Sequence, residues 1–308
     1  MELWQYFCHE RQAHEAPIAR WFEQTEHGFL AHAAPINVSQ TLKDLLWEQL
    51  PEGVVLCSAP IRELNSFQDY CRRTGLKDNP RTQHQAIQSC FNYADSVLYV
   101  PKMQFDPVAA QFEKHCEEAG HLLGQLVRQE GGTLMLFTSR KAMHFTFDLL
   151  AEDLQNDVLM QGDHNKAMLI TKHKKKVDHG ERSILFGLAS FGEGLDLPGH
   201  YCEHVIIHKL PFAVPSTPVE LTRNEWLKSN GRDPFMLSTH PATSLQREQY
   251  VGRLLRRESD IGVITILDRR LYKKGYGKQL LSNLESFSQV INKEIAALSA
   301  IKSIQHLF

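Results

Sequence analysis

The sequence predicts an α/β protein built on a mainly parallel, doubly wound sheet with helices on both faces. Three observations predict it. Short apolar runs rich in branched residues recur at 96–100, 133–137, 158–160, 183–187, 204–208 and 261–267. Their lack of strict polar–apolar alternation marks strands buried on both faces. Stretches long enough for helices separate most of them, and strand–helix alternation joined by right-handed crossovers gives a doubly wound sheet.

The elements follow in order. Residues 1–50 stand apart as a lead-in segment ahead of a main domain at 51–308. Residues 21–32 suggest two short strands about a turn, and Ser39 is placed to cap a helix over 41–50. Pro51-Glu52-Gly53 leads into a strand at 54–57, followed by a helix over 61–75 and a polar loop over 76–95. The strand at 96–100 stops at Pro101. A long helix from about 107 to 129 has Pro107 near its start and Gly131-Gly132 closing it. Then come strand 133–137, helix 140–154, strand 158–160, helix 165–178 and strand 183–187. A glycine-rich loop, strand 204–208, helices 217–230 and 243–257, strand 261–267 and closing helices complete the chain.

Composition sets limits. A chain of 308 residues, 42% hydrophobic and 23% charged, buries a sizeable core and is not disordered. A net charge of −2 excludes coating nucleic acid by bulk charge, though not a local basic groove. No apolar run approaches the roughly 18–20 residues of a membrane helix, and the start lacks a signal peptide's basic and apolar blocks, so no membrane partner is expected. Six widely spaced cysteines with no CxxC pair read as reduced thiols of a cytoplasmic protein, and no iron–sulfur or zinc-ribbon pattern is visible.

In a doubly wound sheet, ligands sit beyond the carboxyl ends of the strands. The loops to search therefore open at Thr138, Leu188, Lys209 and Asp268. Three motifs lie there or nearby. In Gln249-Tyr250-Val251-Gly252-Arg253-Leu254-Leu255-Arg256, residues 249, 252, 253 and 256 share one face of the expected helix. Gly252 leaves room for close approach, and two arginines there would present charged forks to a polyphosphate. The plain alternative is a solvated face. In Ala189-Ser190-Phe191-Gly192-Glu193-Gly194-Leu195-Asp196, glycines admit a ligand close to the backbone, while Glu193 and Asp196 are able to hold an arginine, a ribose or a water. The alternative is an ordinary strand–helix loop. In Phe137-Thr138-Ser139-Arg140, hydroxyls opening a helix are placed to meet a phosphate, or Ser139 is simply its N-cap.

In this order the three resemble motifs IV, V and VI of superfamily 2 helicases. His208-Lys209-Leu210-Pro211-Phe212, Asn224-Glu225-Trp226-Leu227-Lys228, Asp233-Pro234-Phe235 and Leu267-Asp268-Arg269-Arg270-Leu271 resemble the DinG branch of the XPD-like DNA helicases. Residues 21–35 and Val55-Leu56-Cys57-Ser58-Ala59-Pro60 are similar to that family's surroundings of motif III, with Pro60 where the family has threonine. The resemblance spans at least residues 21–284. It lacks a Gly-x-x-x-x-Gly-Lys-Ser/Thr phosphate loop, an Asp-Glu-x-His motif and a four-cysteine cluster pattern, which in the family belong to the first motor domain.

The resemblance implies a RecA-like second motor domain, with residues 1–50 the tail of the first. ATP and Mg would be held mainly by that first domain, the partner of this one. Arg253 and Arg256 would face the γ-phosphate as arginine fingers, oriented by Gln249. Glu193, Gly194, Asp196 and Gly252 would lie at the nucleotide. Thr138, Ser139, Arg140 and Lys209 would grip single-stranded DNA during unwinding in repair or replication. Alone, such a chain is expected to hydrolyse no ATP. The rival reading is a non-catalytic module that binds DNA or a protein partner.

Other features carry less. His200, Cys202, His204 and His208 suggest zinc, but strand positions 204 and 208 lie roughly 13 Å apart, too far for one ion. His115, Cys116 and His121 fall on the long helix and read as packing or surface. No metal site is expected. The basic run Lys172-His173-Lys174-Lys175-Lys176 reads as a solvated face in preference to a DNA contact.

Overall fold

The computed structural model of the chain describes residues 3–8, 15–50, 53–58, 61–62, 64, 66–76, 81–192, 194–282, 284, 286–298, 300–301 and 304. Two compact units emerge, each made of two chain segments. The first comprises residues 1–86 and 212–245, the second residues 87–211 and 246–308. The division is thus not a single cut after residue 50.

In the first unit, strands β1 (Ile18–Thr25) and β2 (Gly28–Pro35) pair antiparallel about a tight turn. Ala19 and Ile36 are buried there, and Arg223 fixes the hairpin's exit by donating from Nε and a terminal nitrogen to the Ile36 carbonyl at 3.1 and 2.8 Å. Two expectations fail. Residues 53–58 form no strand: Val55 is 91% exposed, so a β-branched run alone does not make a strand without a sheet to receive it. The helix expected over 61–75 is only Gln68–Thr74, ended by Gly75 in the left-handed conformation. Pro60 lies outside the described residues.

The second unit holds a seven-stranded sheet: β3 (Val97–Pro101), β4 (Gly131–Leu136), β5 (Val158–Met160), β6 (Arg182–Gly187), β7 (His204–Ile207), β8 (Val263–Ile266) and β9 (Ser288–Lys293). Its order is β5-β6-β4-β7-β8-β3-β9, and every pairing is parallel. The central strands are wholly buried, as their unbroken apolar runs require. Helices α1 (Phe112–Leu126), α2 (Arg140–Asp148) and α3 (Lys166–Asp178) accompany the strands. One core joins Cys116 and Leu123 of α1, Met143 of α2 and Met135, Phe137 and Phe186 of the sheet. Phe145 and Phe147 pack against it.

The chain does not end in helices alone. After Gly275–Ser282, residues 288–293 add the edge strand β9 beside β3. Its sequence, Ser-Gln-Val-Ile-Asn-Lys, is too polar to announce a strand; pairing with β3 supplies what local propensity does not. Helix α4 (Pro218–Ser229) begins at Thr217, which with Glu220 forms a reciprocal capping box. Helix α5 (His240–Val251) stops six residues before the expected 257.

Candidate functional site

The carboxyl ends of β6, β4, β7 and β8 are neighbours along one edge of the sheet. Thr138 and Ser139 follow β4. Gly194, Leu195 and Asp196 follow β6, Lys209 follows β7 and Asp268 follows β8. Parallel pairing thus gathers loops separated by up to 130 residues of chain onto one rim.

At β4, Ser139 caps α2: its hydroxyl accepts from the Ala142 amide at 3.2 Å. The capping role is therefore real, and it leaves the hydroxyl hydrogen able to donate. Beside it the Thr138 hydroxyl is buried without a partner, and Arg140 is exposed.

At β6, a single turn, Ala189–Gly192, leads into Gly194 at φ +67°, a conformation other residues adopt only at a cost. Glu193 lies outside the described residues. Leu195 and Leu197 are buried and anchor the loop, whereas the Asp196 side chain is 81% exposed.

The arginines are not brought together on a helix face. Past Val251 the backbone tightens into bonds from Arg253 N to the Tyr250 carbonyl and from Leu254 N to the Val251 carbonyl, each 3.1 Å. The buried Asp260 carboxylate then accepts the Arg256 and Arg257 amides at 2.9 Å each and holds the turn. The result places both guanidiniums on one acceptor. Arg253 and Arg256 donate to the Leu195 carbonyl at 3.0 and 2.5 Å. Gln249 contributes its main-chain carbonyl, which accepts from Arg253 Nε at 3.1 Å. Arg256 Nε is buried and stands 4.0 Å from Asp196.

Gly252 is not packed closely against another segment of the chain. It is exposed, and a β-carbon there would face only the carbonyls of Glu248 and Gln249. Within the chain the close approach is at Gly192, where a β-carbon would lie 2.1 Å from the ring of Tyr250.

Lys209 is half-buried, and its pKa lies below the ordinary value because burial and Arg270 disfavour its charge, with Asp268 opposing. Asp268 is fully buried and accepts from the Leu210 amide at 2.9 Å and from Arg270 at 2.6 Å. Burial works against the charge on Arg270, yet its bonds to Asp268 hold the pKa above the usual value. Arg269 pairs with Asp106 at 2.5 Å.

The histidines considered for zinc are dispersed. His204 bonds the Thr265 hydroxyl at 2.8 Å, and burial lowers its pKa to about 3. Burial pushes the Cys202 thiol up to about 12, and His200 is exposed beside Asp178. The basic run is largely engaged: Lys172 contacts His164, Lys174 lies over the Tyr201 ring, and Lys176 pairs with Asp157 at 2.6 Å. His173 is buried between the Ser183 hydroxyl and the Tyr201 carbonyl at 2.8 and 2.7 Å.

The family profile described as "Helicase C-terminal domain" matches residues 122–287, more than half of the chain and all of the rim loops. The chain belongs to the helicase C-terminal domain family. It is 36% identical over 297 residues to the ATP-dependent DNA helicase DinG of Photobacterium profundum, covering 94% of this chain and 42% of that protein. It is 38% identical over 283 residues to the DinG of Shigella flexneri, covering 90% of this chain and 39% of that one. The chain thus spans about two fifths of the length of these relatives. Among solved structures, S. tokodaii Xpd4 matches with a TM-score of 0.58 at 15% identity, over 85% of this chain and 49% of that chain. That likeness shows the fold of this chain, a RecA-like helicase domain. Among the described residues, no helix is long and apolar enough to cross a membrane.

The sequence reading missed three participants in this site: the Leu195 carbonyl, Asp260 and the Gly192–Tyr250 contact. A main-chain acceptor leaves no residue-type signature. Asp260 lies beyond the expected helix, and a tyrosine over a glycine is a tertiary coincidence of two distant segments.

Proposed function

We propose that the chain works as the second motor half of an ATP-dependent DNA helicase, acting on DNA in repair or replication in the cytoplasm. One observation carries the reading: Arg253 and Arg256 share a neutral carbonyl, that of Leu195. A γ-phosphate carries full negative charge and makes stronger, charge-assisted bonds to guanidinium than a carbonyl does. The arginines would exchange Leu195 for the nucleotide and stabilise charge during phosphoryl transfer. Gln249 would position Arg253, while Gly194, Gly252, Glu193 and Asp196 would border the nucleotide. Thr138, Ser139, Arg140 and Lys209 would meet phosphates of single-stranded DNA. ATP and Mg would rest mainly on a first motor domain of the same enzyme.

The test is reconstitution. The chain is combined with a separately produced first motor domain of a DinG helicase, and ATP turnover is measured with and without single-stranded DNA. DNA-stimulated turnover that vanishes with Arg256→Ala supports the reading. DNA binding with no turnover in the mixture would favour a non-catalytic binding module.

A further inference from the structure

Two residues at the start of α1 and one at the end of β7 meet in the core of the second unit. His115, Cys116 and His208 are 1%, 0% and 2% exposed, and each brings one ligand atom within 4.8 Å of the other two. The His208 Nε2 to Cys116 Sγ distance is 3.8 Å. The His115 and His208 rings stand perpendicular at 4.7 Å between centroids.

We propose that His115, Cys116 and His208 form a three-coordinate site for a soft monovalent cation, Cu(I). The first argument is spacing. A metal about 2.0 Å from nitrogen and about 2.3 Å from sulfur, at a trigonal angle, holds those two atoms roughly 3.7 Å apart. The observed 3.8 Å already meets that requirement.

The second argument is orientation. His115 Nε2 donates to the Leu267 carbonyl at 2.8 Å, which leaves the lone pair on Nδ1. Metal-binding histidines are commonly held this way, with the second nitrogen on a main-chain carbonyl. His208 has only the long contact to sulfur at Nε2, and its Nδ1 is buried without a partner. A metal at Nε2 would replace that long, weak contact with a bond, while the Nδ1 hydrogen would keep its present surroundings.

The third argument is charge, and it selects the metal. Thiolate and imidazole are soft to intermediate donors that suit Cu(I) and Zn(II). Cys116 would release its thiol proton to solvent on binding. Cu(I) with one thiolate and two neutral imidazoles is then electrically neutral, whereas Zn(II) leaves one uncompensated positive charge in the core. Lys209 follows His208 directly, and the nearby buried carboxylate of Asp268 is already bonded to Arg270. An added positive charge beside them is disfavoured.

The site is independent of the helicase reading and is tested without it. The exposed Cys8, Cys57 and Cys90 are replaced by serine to remove competing thiols. Cu(I) is then titrated anaerobically into the full chain against a colorimetric chelator, and Zn(II) in a parallel series. The expected result is one equivalent of Cu(I), with a rise in melting temperature. Cys116→Ser, His208→Gln and His115→Gln should each weaken binding at least tenfold and abolish the rise. Far-ultraviolet circular dichroism identifies any variant that fails to fold, and the remaining ones decide. No stoichiometric Cu(I), or Cu(I) binding unchanged in the folded variants, overturns the proposal. One-to-one zinc binding tighter than that of Cu(I) and lost in the same variants overturns the cuprous assignment.

Discussion

The ring of Tyr250 occupies the space that a side chain on residue 192 would need, 2.1 Å from the position of its β-carbon. This contact presses the turn after β6 against the last turn of α5, the two segments that deliver Leu195 and the arginine pair. Gly192→Ala should cost about 1–3 kcal/mol through overpacking, read by urea denaturation. Tyr250→Leu on that background should recover part of the loss. Strict additivity in the double-mutant cycle would show that the contact does not couple the two segments.

Arg256→Ala should lower DNA-stimulated ATP turnover of the reconstituted enzyme by about a thousandfold or more, the range of an arginine finger. Arg256→Lys should recover little, because a point charge replaces a planar fork. Binding of single-stranded DNA should stay within about twofold. A kinetic defect confined to KM would contradict a transition-state role.

Ser139→Ala should cost about 1 kcal/mol of stability by removing the α2 cap. If Ser139 also meets a DNA phosphate, binding of single-stranded DNA to the variant should weaken about equally for all sequences. Lost stability with unchanged DNA binding would reduce Ser139 to its cap.

Asp268 is fully buried and bonded to Arg270 and the Leu210 amide. Asp268→Asn should destabilise the chain by about 3–5 kcal/mol, because it leaves a largely buried guanidinium without its carboxylate. Chemical denaturation measures it. A loss below about 1 kcal/mol would mean that the pair is solvated.

His173 gives the stability a pH dependence. Burial lowers its pKa from 6.5 to about 4, so between these values the unfolded chain binds more protons than the folded one. Its contribution, on the order of 3 kcal/mol, is fully present above about pH 6.5 and is lost as pH falls toward 4. Denaturation midpoints measured over that window should fall with pH, and His173→Gln should flatten the slope.

The sheet was legible because buried parallel strands write themselves as continuous apolar runs, and six of its seven strands were found within a few residues. β9 was not, since an edge strand with polar residues takes its conformation from β3. The failed strand at 54–57 is the converse, with Val54-Val55-Leu56 strand-like in composition and exposed in the fold. That the loops opening at Thr138, Leu188, Lys209 and Asp268 lie together was legible, because topology places the ends of parallel strands side by side. The means of bringing Arg253 and Arg256 together was misread. A helical wheel explains their spacing equally well; in the fold the chain leaves the helix after Val251, and the Asp260 carboxylate holds the turn that follows through two amides.

The sequence by itself determined the fold class, the order of the central elements and the family, because apolar runs and motif strings are properties of the chain alone. Tertiary structure decided which groups meet. It placed Leu195 under two arginines, Tyr250 over Gly192, and His208 beside His115 and Cys116. These pairings depend on loop paths and side-chain packing between residues 58 to 93 positions apart, which no local pattern encodes.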